Sequence, residues 1–490
     1  PWTFWMQQPL SDNHIRLIEH TLNLTEIRAD ERSTGPRTLT LEQENIVMAP
    51  ISNSGNGLKT TLIRGTFGSG KTIVLSKKAE YLAQPPSDLE VLVTTFNKDL
   101  ARDLQDRIPD SRVHVEQIFD LIRVILGDQY PQTTLYRGKA DPRPIKDWCK
   151  EHHDQLELPV DFLAQEISRR KDLELVTDDQ YRDDLRQRGS DLSEHEFDEL
   201  TLTYQLYIDY QNELKASGQD WQDYEDTISM ALDAVHGHKY RRYFDVIMVD
   251  EGQDFTPNML KLLRRMVKPG GDLIIFEDPI QSLWKEYSIP DRGLGKAKMR
   301  YLRTPLRSTQ QIAEAAQSLL DIIPAMKTQD DDASELYPVN TDSLQSGPMP
   351  FLIQYADSTQ EQAQLMHFVQ QYQQAHPDQT IGVLTPDFMR DWQELFTEQG
   401  VYYGHFNFAK GLEFDTVCIA RLDTLFQSQW NERKIMRRWL YRKWFVAMTR
   451  ARSNLYLSYT GSLRDNLDYF RCYCQMADVH AMPPPVTVDA

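Results

Sequence analysis

Two clusters of residues, 178 positions apart, have the types and spacing to handle a phosphate chain. The first is Gly65-x4-Gly70-Lys71-Thr72, preceded by the apolar pair Leu62-Ile63 and followed by helix-forming residues from Ile73 to Ala79. In a strand, loop and helix setting, Gly65, Gly68 and Gly70, with Ser69 between them, let backbone N–H groups approach phosphate closely. Lys71 would reach the β- and γ-phosphates of ATP, and the Thr72 hydroxyl would ligate Mg²⁺. Read alone, the loop predicts nucleotide binding and nothing more. The second cluster, Asp250-Glu251, closes the apolar run Tyr243 to Val249. Asp250 is suited to hold Mg²⁺ through water, and Glu251 to orient and deprotonate an attacking water. A further polar strand end, carrying Gln281, follows the run Leu273 to Phe276. Hydrolysis of ATP is the chemistry these groups predict together.

Such groups need rigid strand ends to hold them. Val91 to Phe96, Tyr243 to Val249 and Leu273 to Phe276 read as buried parallel strands, with helical patterns between them. That alternation predicts an α/β domain with functional residues at the carboxyl ends of its strands. A second alternation runs from Phe351 to Ser458 and has no phosphate loop of its own. The expected organisation is an N-terminal arm over 1–38, a first α/β domain over 39–126 and 227–307, and an acidic helical insertion over 127–226. A second α/β domain over 308–474 and a disordered tail over 475–490 complete it. The chain opens at Pro1 without a methionine, and Trp2, Phe4 and Trp5 suggest a packing arm or the tail of a preceding module.

Composition narrows the partners. A net charge of −19 speaks at first against nucleic acid, which needs basic surface. The excess is local: Glu151 to Asp226 holds 22 acids and 7 bases, so the remainder is close to balanced. Two basic stretches stand out, one from Arg292 to Arg307 and one from Arg433 to Arg452, each also readable as a solvated face. Cys149, Cys418, Cys472 and Cys474 have no zinc-like spacing, and the adjacent pair His152-His153 reads as a surface pair. With no apolar run of membrane length and no signal peptide, a cytoplasmic protein with no membrane partner is expected.

Taken in order, the motifs resemble those of the UvrD/Rep-like branch of superfamily 1 helicases, over about residues 39 to 461. The resemblance implies two RecA-like P-loop NTPase domains with parallel sheets, plus the helical insertion in the first. It implies that Gln43, in Leu41-Glu42-Gln43, reads adenine and that Thr95-Phe96-Asn97-Lys98 lays DNA across Phe96 and Asn97. Gln281, in Asp278-Pro279-Ile280-Gln281-Ser282, would link the γ-phosphate to the DNA path. Arg307, in Leu306-Arg307-Ser308, and Arg450, in Thr449-Arg450-Ala451-Arg452, would act as arginine fingers from the second half of the chain. Glu413, in Lys410-Gly411-Leu412-Glu413, would contact ribose, and Asn407 and Lys410 would contact DNA; Trp284 reads equally as a DNA-stacking ring or as core packing.

Leu306 stands where the family has an adenine-stacking aromatic, and Asn407 where it has a histidine. The roughly 100 residues between Arg307 and Lys410 leave no room for a large second insertion. The expected activity is therefore an ATP-driven DNA helicase or translocase moving 3′ to 5′ on single-stranded DNA or DNA with a single-stranded tail. Translocation is a firmer expectation than duplex separation. A nuclease-linked, repair or defence protein is the kind of partner the resemblance implies. The reading from another class is a nucleotide-gated DNA- or protein-binding switch that does not move.

Overall fold

Short, largely apolar segments become the strands of two all-parallel sheets. The computed structural model describes residues 39–51, 58–130, 148, 150–152, 158–217, 222–237, 239–282, 287–321, 341, 344–387, 389–406, 409–426, 434–461 and 471–477. The arm over 1–38 lies outside these residues, as do Trp284 and Asn407.

The first lobe opens with helix α1 (Leu41–Val47), strand β1 (Lys59–Gly65) and helix α2 (Lys71–Ala83). Then come β2 (Val91–Thr95), α3 (Lys98–Arg107), β3 (Val113–Gln117) and α4 (Ile118–Leu126). Three helices of the insertion follow: α5 (Val160–Asp172), α6 (Asp178–Gln187) and α7 (Glu194–Ala216). The lobe resumes with α8 (Tyr224–His236), β4 (Phe244–Asp250), α9 (Pro257–Met266), β5 (Val267–Glu277) and β6 (Lys298–Leu302). Its sheet order is β3-β2-β4-β5-β1-β6. Because β4, β5 and β1 are neighbours, Asp250, Asp278 and the phosphate loop emerge side by side at their carboxyl ends.

The second lobe contains α10 (Gln310–Asp321), β7 (Phe351–Tyr355), α11 (Ser358–Ala375), β8 (Ile381–Thr385) and α12 (Arg390–Glu398). It continues with β9 (Tyr402–His405), β10 (Phe414–Ile419), α13 (Lys434–Met448), β11 (Ala451–Thr460) and β12 (Gln475–Ala477). Its sheet order is β12-β7-β11-β10-β8-β9. Two lobes, each built on a six-stranded parallel sheet, are the tandem RecA-like arrangement. The expected disordered tail needs correction at its start: Gln475–Ala477 pair in parallel with Phe351–Ile353, which gives their backbone groups partners.

The insertion has its own small core, with Phe162, Ile167, Tyr181, Phe197 and Tyr207 buried together. Its charges are not all solvated. Arg188 pairs with Glu166 at 2.6 Å and Asp184 at 3.0 Å, while Arg169 pairs with Asp184 and, at 3.2 Å, with Asp291 of the first lobe. The last contact, with the Tyr287 hydroxyl donating to Asp172, moors the insertion to the segment that follows Gln281. Helix α8 belongs instead to the first lobe, where Ile228, Ala231 and Val235 join its core.

Lys78, on α2, donates to the carbonyls of Ile46 (3.0 Å), Val47 (3.3 Å) and Ala49 (2.8 Å), at the end of α1. Burial, aided by Arg300, pushes its ammonium down from 10.5 to about 8. A folded value below the unfolded one means that the charged form is penalised in the fold. That penalty is full below about pH 8 and gone above 10.5, so stability rises with pH across the window. Relative to Lys78→Met, the wild type is expected to gain roughly 2 kcal/mol between pH 7 and about 9.5. Urea unfolding of both proteins at the two pH values measures it.

Candidate ATP site between the lobes

Gly68 and Gly70 adopt φ values of +63° and +78°, which only glycine adopts without strain. Space adds a second constraint, since a Cβ on Gly70 would lie 2.7 Å from the Gln43 amide. Gln43 is buried and its side chain is fully engaged: Oε1 accepts from Thr40 N at 3.0 Å, and Nε2 donates to Ser69 O at 3.0 Å. It therefore ties α1 to the phosphate loop. Ser69 Oγ donates to Thr66 O at 2.8 Å, closing the loop on itself.

At the first turn of α2, Lys71 Nζ donates to the carbonyls of Gly65 (3.1 Å) and Thr66 (3.0 Å) and lies 3.8 Å from Asp278. The ammonium is thus folded back across the cradle that a phosphate chain would enter. Thr72 Oγ1 donates to Asp250 Oδ2 at 2.8 Å. Burial, and after it the neighbouring Glu251, push the Asp250 carboxyl up to about 7. A buried carboxyl whose charge Lys71 only partly offsets, beside a hydroxyl oxygen, is a donor set that suits Mg²⁺.

Glu251 sits in the left-handed region at φ 54° and has the opposite balance. Burial pushes its carboxyl up, but Lys410, Lys71, the Gln253 amide and Arg450 outweigh that and hold it below the usual range. It is ionised and can accept a proton from water.

The second lobe supplies the remaining groups. Arg450 Nη2 donates to Gln281 Oε1 at 3.2 Å, and Gln281 Nε2 donates to Asp278 Oδ2 at 2.8 Å. The guanidinium is buried, with backbone acceptors at Val446 and Leu412, and no carboxylate among the described residues forms an ion pair with it. An arginine so placed lacks a counter-anion at the point where a γ-phosphate would end. Arg307 lies in the connection that follows β6. Leu306 N donates to Gly68 O at 3.0 Å, and the Arg307 side chain pairs with Glu413. It reaches the loop from the connection between the lobes. Glu413 also accepts from Arg452 Nη2 at 3.1 Å, so its carboxylate bridges two arginines.

Lys410, expected at DNA, forms a cross-lobe ion pair: Nζ lies 2.6 and 2.8 Å from the Asp254 carboxylate and 3.6 Å from Glu251. Burial lowers its basicity, but Asp254 and Glu251 more than restore it. Of the other expected DNA contacts, Phe96 is half-buried edge-to-face against Phe119, with centroids 5.5 Å apart. Asn97 is exposed, and its Oδ1 caps α3 by accepting from Asp99 N (2.8 Å) and Leu100 N (3.3 Å).

One residue the sequence reading passed over is Phe67. This loop side chain is buried against Phe445 of α13 in an edge-to-face contact at 5.6 Å. A large aromatic among the small residues of a phosphate loop was its visible signal. Asp254, four residues after Asp250, was passed over as well.

A phosphate loop facing an arginine-bearing second RecA-like lobe defines a two-domain P-loop NTPase. Residues 51–285 match the profile of the UvrD/REP helicase N-terminal domain, and residues 407–462 that of the UvrD-like helicase C-terminal domain. The chain belongs to the UvrD/Rep-like helicase family. It is also similar to "Putative ATP-dependent DNA helicase YjcD" of Bacillus subtilis (strain 168), with 24% identity over 288 residues. That match covers 52% of this chain and 35% of the relative, so the chain spans about a third of the relative's length.

Proposed function

We propose that the chain hydrolyses ATP between its lobes and uses the resulting closure to move 3′ to 5′ along single-stranded DNA. The observation that carries this reading is the relay Arg450–Gln281–Asp278–Lys71, which joins the second lobe to the phosphate loop at one point. When ATP enters, Lys71 exchanges the Gly65 and Thr66 carbonyls for phosphate oxygens. Arg307 and Arg450 turn to the transferred phosphoryl group, where arginines stabilise developing charge. Thr72 and Asp250 would hold Mg²⁺, which neutralises charge on the β- and γ-oxygens when bound. Glu251 takes the proton of the attacking water. Gln43 fixes the position of the loop beneath the adenine side, and Glu413 is freed toward ribose as Arg307 leaves it.

Breaking and remaking the Lys410 and Arg450 contacts makes lobe closure a two-state element. Phe96 and Asn97 lie at the carboxyl end of β2, where, with Trp284 and Asn407, they would grip a strand without regard to sequence. The partner on this reading is single-stranded DNA or a duplex with a single-stranded tail, and the setting is the cytoplasm.

Displacement of streptavidin from biotinylated oligonucleotides tests for motion. With ATP, the chain is expected to clear streptavidin from the 5′ end at least tenfold faster than from the 3′ end, as a 3′-to-5′ step requires. A static switch would clear neither end above the spontaneous rate.

A further inference from the structure

The basic run after Arg292 is only partly accounted for by the ATP site. Arg292 is buried on Glu277, and Arg307 pairs with Glu413. Lys296, Lys298 and Arg300 line a cavity of about 490 Å³ at the amino end of β1, together with Lys59, Lys78 and Arg264. Lys59, at the start of β1, lies six residues of rise, roughly 20 Å, before Gly65 of the phosphate loop.

Asp272 is the one carboxylate among the described residues that line this cavity, against six cations. In a chain of net charge −19, that local excess is the reverse of the average. Lys296, Lys298 and Arg300 form no ion pair with a carboxylate among the described residues. Arg264 gives Nη2 to Gly293 O at 2.7 Å and keeps a buried Nε with no acceptor. Lys78 has its ammonium on three carbonyls and adds field rather than a direct contact. Part of the wall is apolar, with Ile46, Ile63 and Ile274 beside the charges.

Concentrated positive charge next to an apolar wall selects an amphiphilic anion, and the volume suits a small molecule. We propose that this cavity binds a nucleoside phosphate, with its phosphates among Lys59, Arg264, Lys296, Lys298 and Arg300 and its base against the isoleucines, as a second site separate from the ATP cleft.

Isothermal titration of the full chain with ADP tests it. The wild type is expected to bind two ADP per chain. Lys71→Ala should lose the cleft site and keep the other. Adding Lys296→Glu and Lys298→Glu to Lys71→Ala should weaken the remaining site at least tenfold. Both lysines are exposed, and the thermal midpoint of the Lys296→Glu/Lys298→Glu variant should match the wild type, as should its ATP turnover. One ADP per wild-type chain, or a second site indifferent to the charge reversals, would overturn the proposal. So would reversals that weaken single-stranded DNA binding while leaving two ADP sites. None of these outcomes touches the reading of the ATP cleft.

Discussion

Glu251→Gln is expected to lower ATP turnover by roughly a thousandfold while leaving ATP affinity within a few fold of wild type. The residue is the ionised partner of a divergent pair of neighbouring carboxyls: Asp250 is pushed up to about 7, and Glu251 is held below its usual range by Lys410 and Lys71. An amide keeps the volume and the contact with Gln253 but cannot take a proton. The cradle of Gly65 to Thr72, which binds the phosphates, is untouched. Single-turnover hydrolysis and equilibrium binding of a fluorescent ATP analogue separate the two effects. Retention of more than a tenth of wild-type turnover would remove Glu251 as the base. Lys71→Ala should also abolish turnover, but with affinity falling, because its ammonium serves binding as well as the transition state.

The second large effect concerns Lys410→Ala. Its ammonium is the cation of a mostly buried cluster with Asp254 and Glu251, contributed by the opposite lobe. Removing one partner of a fully buried cluster costs roughly 3–5 kcal/mol because the other charges are left uncompensated, and the partial exposure of this one brings that to about 2–3 kcal/mol. Here that cost falls on the closed arrangement of the lobes, so turnover should fall about a hundredfold even at saturating DNA. The salt dependence of DNA binding should stay as in the wild type. A lysine on a DNA phosphate would behave in the opposite way, lowering the salt slope by about one while turnover at saturating DNA survives. Measuring both quantities on one variant decides between the two placements.

How far the sequence could be read follows from where information is local. The ends of the strands that lead to Asp250 and Gln281 were legible because each follows an apolar run, and the phosphate loop because its glycine spacing stands out after the pair Leu62-Ile63. The strands β7 and β8 fall over Phe351–Tyr355 and Ile381–Thr385, as their patterns predict. Three strands were not legible. Tyr402–His405 is short and broken by Gly404, and Gln475–Ala477 is a three-residue addition at the sheet edge. Lys298–Leu302 is an edge strand whose exposed Lys298 and half-buried Arg300 read as a charge run.

Within the site, residue types announced phosphate and proton chemistry, but not which acid would meet which base. The placement of Lys410 on Asp254 joins residues 156 positions apart, and that of Arg450 on Gln281 joins residues 169 apart. Pattern within a segment carries no information about such pairings. The same reason hid Phe67, whose role exists only because Phe445 faces it.

The central claim is that hydrolysis in the cleft is coupled to a strand of DNA, and ATP turnover with and without single-stranded DNA tests it most directly. The wild-type chain is expected to hydrolyse ATP at least tenfold faster with saturating single-stranded DNA, with the stimulation falling as salt rises because phosphate contacts release counterions. Turnover that is the same with and without DNA at low salt would contradict the account.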